Sequence, residues 1–369
     1  MLVVGEASGD VHGANLVKAL HRQDANLKIF GVAGEQLQQT DFEALFNVAK
    51  LTGMGLVELA GNVKNIWQAY QLLRDALKQR KPDLLILIDF PDFNLRLARL
   101  AKSLGIPVLY YISPQIWAWR RGRVRQIAKS VDRMAVVFPF EVEFYRRHGV
   151  NVTFVGHPLL ETVITSQSRE AVLARHGLDP AKKTIALLPG SRHGEVSRLL
   201  PPMLNAAAQM SAKDDVQFFC LRASTIDGGD LRRMIADSKI PIVDRDRYDA
   251  VRAADLVWTA SGTATLETAL LARPMVIVYR MSWLTYAIAR LLVRVEHIGM
   301  VNLIAGKRLV PELIQSDVNP QRLVAESRRM LNDDQVHSGI VEELTRLRIR
   351  LGSPGAADRV AAIAFGMMA

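Results

Sequence analysis

Short apolar runs alternate with helix-length amphipathic stretches along most of this chain. In the first half the runs are LVV (2–4), KIFGVAG (28–34), DLLILID (83–89), VLYYIS (108–113), RMAVVFP (133–139) and VTFVGHP (152–158). Their apolar character is nearly continuous, with little of the in–out alternation of a half-exposed strand. That predicts strands covered on both faces, as in a parallel sheet. Stretches such as NLVKALHRQ and EVEFYRRHG lie between them, which gives the β-α-β rhythm of a doubly wound unit. A second series follows: TIALLPGS (184–191), VQFFCLRA (216–223), IPIVD (240–244), LVWTAS (256–261) and MVIVYR (275–280). The polar stretch TSQSREAVLARHGLDPAKK separates the two series, and a linker is expected near 159–168. From about residue 317 the pattern is helical. No 20–50-residue period recurs, which argues against a solenoid or propeller. The expectation is an α/β chain of two Rossmann-like domains facing across a cleft, with ligands at strand carboxyl ends.

Composition narrows the class. The chain has 369 residues, 49% hydrophobic and 23% charged, the balance of a folded globular protein of two or three domains. Its one cysteine, Cys220, lies in a strand-like run, which excludes an internal disulfide framework and suits an inert core thiol. The net charge of +10 favours anionic partners: phosphates, nucleic acid or acidic lipid. The leading MLVVGEASGD lacks the basic and long apolar regions of a secretory signal, and no run reaches membrane-spanning length, so a cytoplasmic protein is expected.

Five segments could carry chemistry. In VVGEASGD (3–10), a strand runs into Gly5, Gly9 and Asp10 before a helix. Such a turn exposes N–H groups to an anion or sugar hydroxyls. A plain βα turn capped by Ser8 or Asp10 fits equally, and a dinucleotide fingerprint is absent. In LLILIDFPDFN (84–94), an apolar strand ends in Asp89 at the sheet's carboxyl edge, where a partly desolvated carboxylate can act as general base. Asp92 suits a helix cap. In SPQIWAWRRGRVRQIAK (113–129), two tryptophans precede a basic run, either a solvated helix face or a grip on a sugar phosphate or RNA.

LLPGSRHGEV (187–196) and TASGTATLETAL (259–270) each place a small-residue turn between strand and helix. Gly190, Ser191 and Arg192 form one anion seat; Ser261, Gly262 and Thr263 form another. Glu267, on the second helix, can accept two hydrogen bonds from a ribose diol. Together they suit a nucleoside diphosphate. The Asp-Arg-Asp of VDRDRYD (243–249) reads as a strand-to-helix joint, and no zinc-type histidine cluster is visible. His12 ranks behind Asp89 as a base. Two segments carry surplus apolar surface: 56–77, with Leu56, Val57 and Trp67 beside a helical stripe, and 283–297, with Arg290 and Arg294.

Seven segments occur in one order: GEASGD (5–10), IDFPDFN (88–94), SPQIWAWR (113–120), GHP (156–158), LLPGSR (187–192), SGTATLE (261–267) and NLIAGKRLVPELIQ (302–315). Together they resemble the lipid-A-disaccharide synthase family, GT-B-type glycosyltransferases of Gram-negative bacteria. The resemblance implies transfer of 2,3-diacylglucosamine from its UDP carrier to 2,3-diacylglucosamine 1-phosphate. The product is a β-1,6-linked disaccharide 1-phosphate, formed with inversion and release of UDP. It implies no cofactor, no metal and no nucleic-acid partner. It also implies a peripheral place on the anionic inner face of the inner membrane, and allows a homodimer. In this reading Asp89 is the base, Arg192 steadies the leaving UDP, and Gly190, Ser191, Ser261, Gly262, Thr263, Glu267 and Asn302 hold the UDP-sugar. Glu6, Ser8, Gly9, Asp10, Asp92, Trp117 and Arg120 line the acceptor side. Residues 1–163 form the acceptor domain, with 345–369 packing back on it, and 164–344 form the UDP-sugar domain. Other GT-B enzymes, a UDP-N-acetylglucosamine 2-epimerase or transferase, share the nucleotide side and form the alternative.

Overall fold

The computed structural model describes residues 1–51, 58–119, 121–283, 286 and 296–368. Leu56, Val57, Arg120, Arg290 and Arg294 lie outside these residues. The chain divides into two units, Met1–Pro158 with Leu351–Ala369, and Leu159–Arg350.

The first unit holds strands β1 (Leu2–Val4), β2 (Phe30–Ala33), β3 (Glu43–Asn47), β4 (Leu85–Ile88), β5 (Val108–Tyr111), β6 (Arg133–Val136) and β7 (Val152–Phe154). They form one sheet in the order β3-β2-β1-β4-β5-β6-β7, with neighbouring strands parallel. The central strands are buried along their length because helices cover both faces. β3 was not anticipated from the sequence. It is an edge strand, exposed or half-exposed throughout, so no continuous apolar run marks it.

Successive strands are joined by helices, among them Ala7–Gln23, Glu58–Arg80, Pro91–Ser103 and Pro139–Arg146. In Glu58–Arg80 the core face is Ala69, Leu73, Ala76 and Leu77, while Trp67 points outward at 61% exposure. The helix Ala356–Met368 returns to this unit and packs on Ala7–Gln23. It buries Ala357, Val360, Ala361 and Ala364, and Arg359 Nε donates to the Val155 carbonyl at 2.8 Å.

The second unit holds β8 (Lys183–Leu188), β9 (Val216–Leu221), β10 (Ile242–Val243), β11 (Leu256–Ala260), β12 (Met275–Tyr279) and β13 (Glu312–Ile314). Their order is β10-β9-β8-β11-β12-β13, again with parallel neighbours. β13 is a second edge strand that the sequence pattern did not announce. It has three residues, two of them half-buried.

Both sheets reverse direction beside their first strand. In the first unit the order runs out from β1 to β2 and β3 on one side and to β4 on the other. In the second it runs from β8 to β9 and β10, and from β8 to β11. At such a switch point the two outgoing loops part and leave a crevice at the strand carboxyl ends.

Candidate active site

At the switch point of the second unit, the loops after β8 and β11 each open a helix. Gly190 has φ 126°, and a Cβ there would lie 2.7 Å from Glu195 Oε2, so only glycine lets the turn close onto that side chain. The same Glu195 oxygen accepts from the Ser191 amide at 3.2 Å. Gly262, with φ 151°, precedes the helix Thr263–Leu270. Gly190, Ser191, Ser261, Gly262, Thr263 and Glu267 all line one cavity of about 170 Å³. Arg192 directly precedes the helix His193–Ser211; its side chain is 61% exposed and lies 3.7 Å from Glu195 Oε1. Two helix N-termini therefore open at one cavity, with a solvated guanidinium beside it. That combination suits a diphosphate.

Glu267 is held from the side. Its Oε2 accepts from Arg247 Nη2 at 2.6 Å, and its Oε1 from the Tyr248 hydroxyl at 3.2 Å. Arg247 and Glu195 also line the cavity, and sequence reasoning did not single out either. The Arg247 signal lay in VDRDRYD, read only as a joint. There Asp244 pairs with Arg222, and Asp246 with Arg175 at 2.6 Å.

Asn302, expected to reach the ligand, is fully buried and acts as a brace. Its Nδ2 donates to the Val310 carbonyl and to Glu312 Oε1, both at 2.8 Å, and its Oδ1 accepts from the Val310 amide at 2.9 Å. Glu312 in turn accepts from the amides of Ile298 and Gly299. The asparagine therefore shapes the loop between its helix and β13, and it is not among the residues lining the cavity. Cys220 is buried in β9, and burial pushes its thiol up to about 12, which keeps it inert.

At the switch point of the first unit, Gly5 and Glu6 follow β1, and Asp89 and Phe90 follow β4. Asp89 and Phe90 both have φ 49°, an unfavourable region for two consecutive side chains. The backbone is pinned there. Asn94 Nδ2 donates to the carbonyls of Asp89 at 2.7 Å and Ile88 at 3.2 Å, and the Tyr110 hydroxyl donates to the Asp89 carbonyl at 2.5 Å. Gly5 makes room for the bend, since a Cβ on it would fall 2.1 Å from Phe90 Cβ. Burial, reinforced by the Glu6 carboxylate, pushes the Asp89 carboxyl up to about 6. Strain and a raised carboxyl at a sheet's carboxyl edge make Asp89 a candidate functional position.

The remaining acceptor-side candidates divide. Glu6 and Ser8 are exposed at the start of helix Ala7–Gln23, whereas Gly9 and Asp10 are buried. Asp10 staples the turn after β2, accepting from the amides of Gly34 and Gln36 at 2.8 Å and Leu37 at 3.2 Å. Asp92 is exposed and pairs with Arg123; the residue before the helix is Phe90, with Pro91 first in the helix. Trp117 is buried, with its indole N–H on Glu141 Oε1 at 3.2 Å. Glu141 also accepts from the Ser113 hydroxyl at 2.5 Å and the Phe138 amide at 3.1 Å, and burial raises its carboxyl to about 7. His12 is half-buried, and desolvation of its imidazole pushes it down to about 4, so it is neutral near pH 7. Among the described residues no three His, Cys, Asp or Glu side chains gather as a metal site.

The family model described as Lipid-A-disaccharide synthetase matches residues 1–361. The chain is 48% identical over 372 residues to the lipid-A-disaccharide synthase of Syntrophus aciditrophicus, covering 100% of this chain and 97% of that protein. To the same enzyme of Geobacter sulfurreducens it is 46% identical over 371 residues, again covering 100% and 97%. The chain belongs to the lipid-A-disaccharide synthase family. Solved structures place this family's chain in the GT-B fold. The glycotransferase of kitacinnamycin superposes with a TM-score of 0.67 at 15% identity, covering 100% of this chain and 98% of that one. A UDP-N-acetylglucosamine 2-epimerase from Neisseria meningitidis, bound to UDP-GlcNAc, gives 0.60 at 12%, with the same coverage. As a lipid-A-disaccharide synthase family member, the chain is a glycosyltransferase.

Proposed function

We propose that Asp89 is the general base, and the cavity after β8 and β11 the UDP seat, of a lipid-A-disaccharide synthase. The reaction moves 2,3-diacylglucosamine from UDP to the 6-hydroxyl of 2,3-diacylglucosamine 1-phosphate. The convergence of two segments about seventy residues apart, 190–191 and 261–267, on one cavity at a sheet switch point supports this reading most directly.

Asp89 accepts the proton of the attacking hydroxyl. A carboxyl raised to about 6 is largely ionised at neutral pH, yet more basic than an ordinary aspartate. The hydroxyl oxygen bonds to the anomeric carbon as that carbon's bond to the diphosphate oxygen breaks, which inverts the centre. The electron pair leaves on the β-phosphate of UDP. The N–H groups at the two helix starts and the Arg192 guanidinium stabilise that growing charge, and they interact more strongly with the leaving UDP than with the intact donor. Ser191, Ser261 and Thr263 hydrogen-bond the diphosphate, and Glu267 accepts the ribose hydroxyls. Acylated substrates reside in a bilayer. The +10 charge and the exposed Trp67 and Trp283 suit a peripheral contact with an anionic membrane face.

The test is a transfer assay with the UDP-linked diacyl donor and radiolabelled acceptor, read by thin-layer chromatography. The wild-type chain should form the disaccharide 1-phosphate. Asp89→Asn should lose roughly a thousandfold in turnover and keep its UDP affinity. Near-normal turnover in Asp89→Asn would remove the base assignment.

A further inference from the structure

Glu267 sits in the second turn of the helix Thr263–Leu270 and lines the cavity, and two donors from the start of another helix grip it. Arg247 and Tyr248 are the first two residues of the helix Arg247–Ala253. Asp246 just before it has φ 51° and is tied to Arg175 at 2.6 Å, so the turn that launches the two donors is set by its own ion pair. Among the described residues each Glu267 oxygen receives one hydrogen bond, at 2.6 Å from Arg247 and 3.2 Å from Tyr248. A carboxylate oxygen can accept two, so one position per oxygen stays open. Two open positions on one carboxylate match the two hydroxyls of a vicinal diol.

Charge completes the argument. An unaccompanied carboxylate in a cavity whose other wall receives a diphosphate would repel the ligand. Arg247 neutralises it without occupying the open positions. The buried Arg247 Nε has no partner among the described residues, which leaves a donor at this corner for a ligand or water.

We propose that Arg247 and Tyr248 are positioning residues that hold the Glu267 carboxylate ready for a vicinal diol, and so make the cavity selective for ribonucleotides over deoxyribonucleotides. The proposal rests on the reading of Glu267 as ribose acceptor and extends it to the residues that make that contact selective.

Calorimetric titration of the full chain with UDP and with 2′-deoxy-UDP tests it. Wild type should prefer UDP by about tenfold, the scale of a hydrogen bond to a charged group. Glu267→Gln should bring the ratio to about one. Arg247→Met should reduce it to about two or less, and Arg247→Lys should restore part of it, because charge returns without the forked geometry. Tyr248→Phe removes a single hydroxyl, should fold normally, and should lower the ratio about threefold. If Arg247→Met does not fold, Tyr248→Phe decides. Retention of the tenfold ratio in the Tyr248 and Arg247 variants, with its loss in Glu267→Gln, overturns the positioning role and leaves the ribose contact standing. Retention in Glu267→Gln overturns both.

Discussion

Asp89 is held in a place that disfavours it twice. Two successive left-handed residues, at φ 49° each, cost roughly 1–3 kcal/mol apiece. Burial and the neighbouring Glu6 raise its carboxyl from 3.8 to about 6, so ionising it in the fold costs on the order of 3 kcal/mol. For an acid with a raised folded value, the native state binds the extra proton between those two values. Stability from this group is therefore complete below about pH 4 and lost as pH rises through 6. Activity runs the opposite way, since the proposed base must be ionised. We expect kcat/KM to fall about tenfold per pH unit below pH 6. Asp89→Asn should melt higher than wild type at pH 8 and at nearly the same temperature at pH 4. Calorimetric scans at the two pH values check this, and an equal gain at both would show that burial of charge is not its cause.

Elements explain why Asp89 sits where it does. The bend after β4 fits only because a glycine follows β1, with 2.1 Å between a hypothetical Gly5 Cβ and Phe90. Gly5→Ala should push Phe90 and with it Asp89 out of place. The expected result is a fall in kcat of about a hundredfold, with UDP affinity unchanged because the proposed UDP cavity belongs to the other unit. Stopped-assay kinetics beside UDP titration would reveal it, and equal loss of both would point to general unfolding instead. The buried strands were legible in the sequence because helices cover both faces, and continuous apolar runs record that. The edge strands β3 and β13 were not. Glu43, Asn47 and Glu312 interrupt these two strands, so no apolar run marks them, whereas the edge strands β7 and β10 lie within apolar runs. Asp10 and Asn302 show the same limit for sites. A polar residue in a motif can serve a ligand or the backbone, and only the partners at 2.8–3.2 Å around Asp10 and 2.8–2.9 Å around Asn302 tell which.

For the whole molecule, the surplus of +10 charges and the outward tryptophans, at 61% for Trp67 and 79% for Trp283, bear on where it works. Among the described residues no helix is long and apolar enough to cross a membrane. We expect the chain to cosediment with vesicles containing anionic phospholipid and to come off as salt rises from about 50 to about 500 mM, because screening shortens the reach of its charge. Trp67→Ser should weaken the binding further. Equal binding to purely zwitterionic vesicles would contradict an electrostatic contact.

Sequence alone determined that two parallel-sheet units follow one another and that glycine turns stand at the carboxyl ends of their strands. Strand burial and tight turns are written in local residue patterns. Tertiary structure alone decided which turns meet: β8 and β11 are neighbours although about seventy residues separate them, and that adjacency makes two helix starts into one cavity. It also decided that Arg247 and Tyr248 reach Glu267, and that the chain returns to the first unit at Leu351, within the stretch expected from 345 onward. Such pairings depend on how distant segments pack, and no stretch of chain carries that information by itself.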